Sequence, residues 1–270
     1  MQIKPLLAAN YLQTVSIMKN NMRKISLKAG SILLWILLWH ILGSLANTKL
    51  LFKIPLPLDT LREFLNCLKL PSFWEAVASS LLHILSGFIF AVVLGLICGM
   101  LSGNSNIFKT VTAPISRLIR SVPVAAFIIL AWLWIPSDII PSFISFLMVF
   151  PIIWLQVETG LLSVDNRLVE MAGVMGMTKT EIVKNIKIPT IMPFFRESVI
   201  TGLGFAWKSG VAAEVICNPT GSIGALLSNA KSNLEYAKVF AVVLTIIILS
   251  LVLENIIKFF WRDKRYDKVK

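Results

Sequence analysis

EMAGVMGMTKTEIVKNIKIP, residues 170–189, breaks the character of the chain around it. On either side lie runs of Leu, Ile, Val, Phe and Trp; here the sequence becomes charged, small and glycine-punctuated. Glu170 through Met175 reads as helix, and Gly176 is suited to the left-handed conformation that ends one. Thr178-Lys179-Thr180-Glu181 has capping-box spacing, so a second helix begins at Thr178. It runs through Ile182, Val183 and Ile186, and Pro189 is expected to interrupt it. The result is a helix–glycine–helix elbow whose Met175, Met177 and Ile182 offer apolar contact. Exposed Met and Ile flanked by charge suit a docking knob for another protein; a solvated connector is the plainer alternative.

What surrounds the elbow is membrane. Hydrophobic residues make up 56% of the 270 and charged residues 15%, with a mean hydropathy of +0.79. A soluble domain needs more charge than this on its outer face. Six runs approach the length needed to cross a hydrocarbon core of roughly 30 Å: 29–46, 78–102, 122–136, 139–158, 190–216 and 237–257. The third is short and shares prolines with its neighbour (Pro136, Pro141), as a tight hairpin would. The chain therefore reads as an all-α polytopic membrane protein. Its domains are a segment 1–28, a membrane domain 29–257 containing the loop 159–189, and a basic tail 258–270.

Orientation follows from the Lys and Arg residues. Lys4, Lys19, Arg23, Lys24 and Lys28 precede the first span, and Lys258, Arg262, Lys264, Arg265, Lys268 and Lys270 come after the last. Lys109, Arg117 and Arg120 occupy 103–121 without an acid, and Arg167, Lys179, Lys184 and Lys187 occupy 159–189. Segments 47–77 and 217–236 are mixed or sparse in charge. With six spans the four basic segments fall on one side, which places both termini and the elbow in the cytoplasm. The net charge of +12 is this topological bias, set beside anionic lipid; nucleic acid is not an expected partner.

The cysteines, Cys67, Cys98 and Cys217, lack metal-ligand spacing, and nothing in their placement supports a Cys67–Cys217 bridge. His40 and His83 stand singly in apolar runs, as packing or interfacial residues do. Residues 1–28 lack the apolar core and cleavage site of a signal peptide, and LLAANYLQTVSIM (6–18) is weakly amphipathic, suited to the inner membrane surface. Small residues recur every four positions at Gly87, Ala91, Gly95, Gly99 and Gly103, and again at Ser198, Gly202, Ala206 and Gly210. In lipid such ladders are helix-packing faces, within the chain or toward a second copy.

The spacing Glu170, Ala172, Gly176, Ile186, Ile188-Pro189 resembles the EAA signature of ATP-binding-cassette (ABC) importer permeases: E-A-A, three residues, G, nine residues, I-x-L-P. Met171 stands for the second position and Ile188 for Leu. The resemblance extends from about Pro55 to Glu254. SLLHILSGFIFAVVLGLICGMLSG (80–103), APISRLIRSVPVAAFIILAWLW (113–134) and GLGFAWKSGVAAEV (202–215) are similar to the nitrate/sulfonate/taurine-type branch of type I importers. IPSD (135–138) departs from the Gly-containing turn more common there. The resemblance implies a permease core at about 78–257, in a bacterial or archaeal plasma membrane. It implies a homodimer, two ATPase subunits inside that carry the ATP and Mg, and a solute-binding protein outside. In the elbow, Glu170, Met171, Ala172 and Gly173 would form the signature helix, with Glu170 as polar anchor. Gly176 would supply the corner, and Met177, Thr178, Glu181 and Ile182 the surface inserted into the ATPase, ahead of Pro189.

The chain is not itself the motor, nor an enzyme. The nearest approach to a phosphate-binding Gly-x4-Gly-Lys-Ser/Thr loop is residues 103–110, where Phe108 replaces the second glycine. No catalytic, metal or cofactor constellation is present. The charges inside the fifth span remain. Lys208 lies near its middle and Glu214 nearer its outer end, each costing roughly 2.5–3.5 kcal/mol at a helix centre. Six residues apart, they point about 120° away from each other. Lys208 lines a path for an anionic solute, pairs with an acid elsewhere, or snorkels to the interface; Glu214 and Trp207 are further candidates for that path, although Trp207 suits packing. Glu254 has Lys258 one turn away. A secondary transporter working without ATP is the competing class; it predicts inverted repeats and broken helices at the midplane. No repeat is evident, and Pro141 and Pro151 are weak signs of breakage.

Overall fold

The computed structural model describes residues 26–27, 30–31, 33–47 and 53–261. The expected segment 1–28 and all of the basic tail beyond Trp261 lie, but for Ser26 and Leu27, outside the described residues. The chain divides into two compact units, 1–63 and 64–270. Every regular element among the described residues is helical.

The first unit contains α1 (Leu33–Asn47). At its C-terminal end the Asn47 side chain bonds the Ile54 backbone, its Nδ2 donating to the Ile54 carbonyl at 3.0 Å and its Oδ1 accepting from the Ile54 N–H at 2.9 Å. An α2 helix (Pro57–Cys67) starts on a proline with Asp59 in its first turn, both favoured at a helix N-terminus.

The second unit is built on α3 (Pro71–Asn104), α6 (Ile140–Leu162) and α9 (Ile188–Cys217). With 34 residues, α3 is about 51 Å long at 1.5 Å per residue and outruns the bilayer core. The small-residue ladders decide how these helices meet. Gly95, Gly99 and Gly103 lie against Ile153, Val157 and Leu161, and Gly87 against the Ser142 backbone, so one face of α3 is applied to α6. On α9, Gly202 faces Val149, and Gly210 faces Ile84 and Ser145. The approach is close enough for Ser145 Oγ to donate to the Ala206 carbonyl at 3.1 Å. Both ladders are used within the chain. A Cβ on Gly99 would sit 2.6 Å from Val157 Cβ and 2.7 Å from the Trp154 carbonyl oxygen. Backbone cannot yield as a side chain does, and overpacking of this kind costs about 1–3 kcal/mol or more. Gly99→Leu is expected to lower the melting temperature of the detergent-purified protein by about 5 °C or more, at ~2–4 °C per kcal/mol. Gly173→Leu, with nothing within 4 Å of its Cβ, is expected to leave it unchanged.

Among the described residues, four helices are long and apolar enough to cross a membrane: α3, α6, the continuous stretch Lys179–Cys217, and α11 (Tyr236–Phe260). The bent pair α4 (Asn106–Ser121) and α5 (Val124–Trp132) makes a fifth if counted as one span. Of the expected spans, 29–46 lies partly outside the described residues, which include the apolar α1, and 122–136 contains the nine-residue α5. Pro123 sets the start of α5. It holds Val122 extended (φ −90°, ψ 133°), as the residue before proline must be, and the helix axis turns by 99° there. Conversely α6 runs unbroken through Pro151, so the breakage suspected at Pro141 and Pro151 is absent.

Cys67 and Cys217 are both buried free thiols, so no bridge joins them. Glu254 does pair with Lys258, at 3.3 Å. After α9, Asn218 takes a left-handed conformation (φ 52°) and the chain re-enters as α10 (Ile223–Ser232), an element that hydropathy alone does not reveal.

Candidate functional site

The elbow forms as the residue pattern demands. Asp165 caps α7 (Asn166–Val174), its Oδ1 accepting from the Arg167 N–H at 2.8 Å. At the other end Gly176 has φ +82°. The Met177 N–H reaches back to the Ala172 carbonyl and the Gly176 N–H to the Gly173 carbonyl, at 3.0 and 3.1 Å. That pair of bonds is a Schellman closure, which satisfies the last carbonyls of a helix and needs a residue tolerant of positive φ. Two residues later the Thr178 hydroxyl accepts from the Glu181 N–H at 3.3 Å while Glu181 Oε2 accepts from the Thr178 N–H at 2.8 Å. The capping box opens α8 (Lys179–Ile182).

Contrary to expectation, Pro189 does not interrupt the helical backbone that leaves α8. A π-helical turn, Val183–Lys187, intervenes, and the Ile188 N–H bonds to the Val183 carbonyl five residues back. Pro189 then falls in the first turn of α9, where its missing N–H leaves fewer intrahelical bonds unmade. The Thr190 hydroxyl takes up the Ile186 carbonyl at 2.7 Å. The elbow is therefore joined to a membrane helix by continuous helical backbone. Helical backbone runs without a break from Lys179 to Cys217.

Exposure is uneven along the elbow. Ala172 is buried, Met177 and Ile182 are half-buried, and Glu170, Gly173 and Thr178 are exposed. The apolar side chains standing clear are Met171 (55% exposed), Val174 (90%) and Met175 (75%), all on the approach to the glycine corner.

The three candidates inside α9 separate. Lys208 is exposed, on a face shared with Thr201, Phe205 and Ile216, a spacing of 4, 3 and 8 that keeps them on one side of a helix. Ion pairs join Lys109 to Glu158, Lys238 to Glu235 and Lys258 to Glu254, and Lys208 has no ion partner among the described residues. Trp207 is buried, its indole N–H donating to the Ile246 carbonyl of α11 at 3.0 Å. It belongs to the packing.

Glu214 is fully buried and is not on an open face. Its Oε2 accepts from Ser80 Oγ at 2.8 Å and from the Gly224 N–H at 3.0 Å, and Ser80 Oγ in turn accepts from the Ile223 N–H at 2.9 Å. Ser222 Oγ takes the Ala225 N–H at 3.0 Å. The first three N–H groups of α10, which have no partner within their own helix, are thus satisfied by Glu214, Ser80 and Ser222. A carboxylate suits that site because a helix N-terminus carries partial positive charge. Glu214 was expected among the path residues; it is the pin that fastens α10 to α3 and α9. Glu214→Ala strands buried donors at about 1–3 kcal/mol each. It is expected to lower the melting temperature of the purified protein markedly, whereas Glu214→Gln, which keeps an acceptor, loses much less.

A second polar cluster was not foreseen from the sequence. Glu158 in α6 is buried; its Oε1 meets Lys109 Nζ at 2.9 Å and its Oε2 accepts from Ser102 Oγ at 2.7 Å. The Trp154 indole donates to the same Ser102 oxygen at 2.8 Å. A lone acid near the end of an apolar run was the available signal. No group of three His, Cys, Asp or Glu side chains among the described residues is arranged to hold a metal.

The family model described as binding-protein-dependent transport system inner membrane component matches residues 91–266. A probable ABC transporter permease protein of Brucella melitensis biotype 1 is 30% identical over 206 residues, covering 76% of this chain and 83% of the relative. The taurine transport system permease protein of Escherichia coli is 25% identical over 238 residues, covering 86% of each. In fold, the chain is similar to a membrane chain from the crystal structure of a bacterial ABC transporter that imports the acidic polysaccharide alginate. That match has a TM-score of 0.54 at 17% identity, over 91% of this chain and 98% of the other.

Proposed function

Because the chain belongs to the binding-protein-dependent transport system inner membrane component family, a family of multi-pass permease subunits and not of enzymes, we propose that its elbow is the coupling element of an ABC importer. Membership implies an ATPase and a solute-binding protein as partners. The finer reading is a homodimer with two ATPase subunits, ATP and Mg being held by those subunits, and a small anionic solute passing between the two copies.

The observation that carries the reading is the Gly176–Thr178 corner, closed by a Schellman turn on one side and a capping box on the other. Such a corner is stiff where a solvated connector would be loose. Its exposed Met171, Val174 and Met175 give the ATPase an apolar knob, with Glu170 as a polar anchor beside it. Signature residues from Glu170 to Pro189 then act together. ATP binding closes the ATPase pair and pulls the elbows together, and α9 moves with them because no break separates it from the corner. Transport results from the different stability of the two states, one favoured by bound ATP and the other by its loss. In this orientation the elbow and both termini are cytoplasmic.

The solute class rests on Lys208. A cation without an ion partner among the described residues costs too much to face lipid, so its face of α9 turns to the water-filled path between copies. An anion such as nitrate or an alkanesulfonate gains from it there. Proteoliposomes holding the permease with its ATPase test the whole reading. Uptake that needs ATP and the binding protein is expected; uptake driven by an ion gradient without ATP would establish the secondary-transporter class instead.

A further inference from the structure

The helix α4 is amphipathic the wrong way round for a surface helix. Ile107, Val111, Ile115 and Leu118 stand exposed, between 56% and 78%, on one side. Lys109, Ser116, Arg117 and Arg120 line a cavity of about 180 Å³ on the other, walled by Trp154 and Glu158 of α6. At ~30 Å³ per water, that space holds about six waters. Three cations meet one acid there, and the acid is already committed, with Glu158 bonded to Lys109 and Ser102. Arg117 and Arg120 therefore have no acid partner among the described residues. Arg120 Nε donates to the Ser116 carbonyl at 3.2 Å, which fixes its guanidinium beside the cavity. Ser116, only 3% exposed, has a hydroxyl without a partner. Buried hydroxyls are bonded as a rule, and this one lines a basic pocket.

We propose that this cavity is a binding site for a tetrahedral oxyanion of the phosphate or sulfate class, whether free in solution or carried on a phospholipid headgroup. Arg117 and Arg120 supply the forked donors that such oxygens accept, Ser116 adds a hydroxyl donor, and the Lys109–Glu158 pair closes the rim. The rigid wall is Trp154, held by its bond to Ser102. The site lies near the end of α6 that leads into the elbow and is separate from Lys208.

The test uses the full chain in nanodiscs of phosphatidylcholine alone or with phosphatidylglycerol. Inorganic sulfate and inorganic phosphate are titrated by calorimetry, and retained phosphatidylglycerol is counted by native mass spectrometry. Sulfate is expected to bind in phosphatidylcholine discs, at least tenfold more weakly in Arg117→Gln/Arg120→Gln and several-fold more weakly in Ser116→Ala. Arg117→Lys/Arg120→Lys, which keeps the charge and loses the fork, is expected to bind between the unaltered and double Gln proteins and controls for folding. Phosphatidylglycerol retained by the unaltered protein, lost in the double Gln variant and competing with sulfate identifies the headgroup as the source; sulfate binding without lipid retention identifies the free anion. Sulfate and phosphatidylglycerol bound equally by the unaltered and double Gln proteins, or by neither, overturns the proposal. Uptake enters none of these readouts, so a failure here is distinct from a failure of the importer reading.

Discussion

Gly176→Leu is expected to leave the protein inserted and folded while reducing ATP-driven uptake more than tenfold and abolishing co-purification with the ATPase. The reason is conformational. A leucine Cβ at this position meets nothing within 4 Å, but φ is +82°, a region that costs a β-carbon residue about 1–2 kcal/mol. The chain relieves that cost by giving up the Schellman closure, and the knob at Met171, Val174 and Met175 then leaves its position relative to the Thr178 cap. Asparagine tolerates the left-handed region better than other non-glycine residues. Gly176→Asn should therefore retain most of the uptake that leucine destroys. Equal loss in both variants would place the effect in side-chain contact and not in the corner.

The second large effect is expected at Lys208. Lys208→Met removes a cation that has no ion partner among the described residues, so no acid there is orphaned and the melting temperature should hold. Uptake of an anionic solute should fall by about tenfold or more, equivalent to ~1.4 kcal/mol, with Lys208→Arg recovering most of it. Nitrate and ethanesulfonate serve as anionic probes and urea as a neutral one. Loss confined to the anions supports a path residue. An equal loss for every solute, with a lowered melting temperature, would show that Lys208 pairs with an acid of the second copy instead.

How much a sequence discloses depends on the range of the interactions involved. The corner was readable in full because Gly176, Thr178 and Glu181 act on backbone within five residues of themselves, and local rules suffice. The ladders on α3 and α9 were readable as packing faces because a repeat of small residues has one main use in lipid. Which helix they met was not readable, since that depends on α6 arriving from more than fifty residues away. A change of chain direction after Asn218 hid the role of Glu214. In sequence it is a carboxylate in a span; only the return of α10 brings the Gly224 N–H to it, beside Ser80, and turns a candidate path residue into a cap. The error at Pro189 came from treating prolines alike. Pro123 breaks a helix because Val122 before it is extended, whereas Pro189 is absorbed because the π turn ahead of it changes the bonding register. Hydropathy alone could not separate the cases.

Photo-crosslinking from Met175 tests the central claim most directly. With a photoreactive residue at 175, the assembled transporter in native membranes should give an adduct with the ATPase subunit, and that adduct should disappear in the Gly176→Leu background. Labelling of position 175 by a membrane-impermeant reagent from outside the cell, or an adduct to lipid alone, would contradict it.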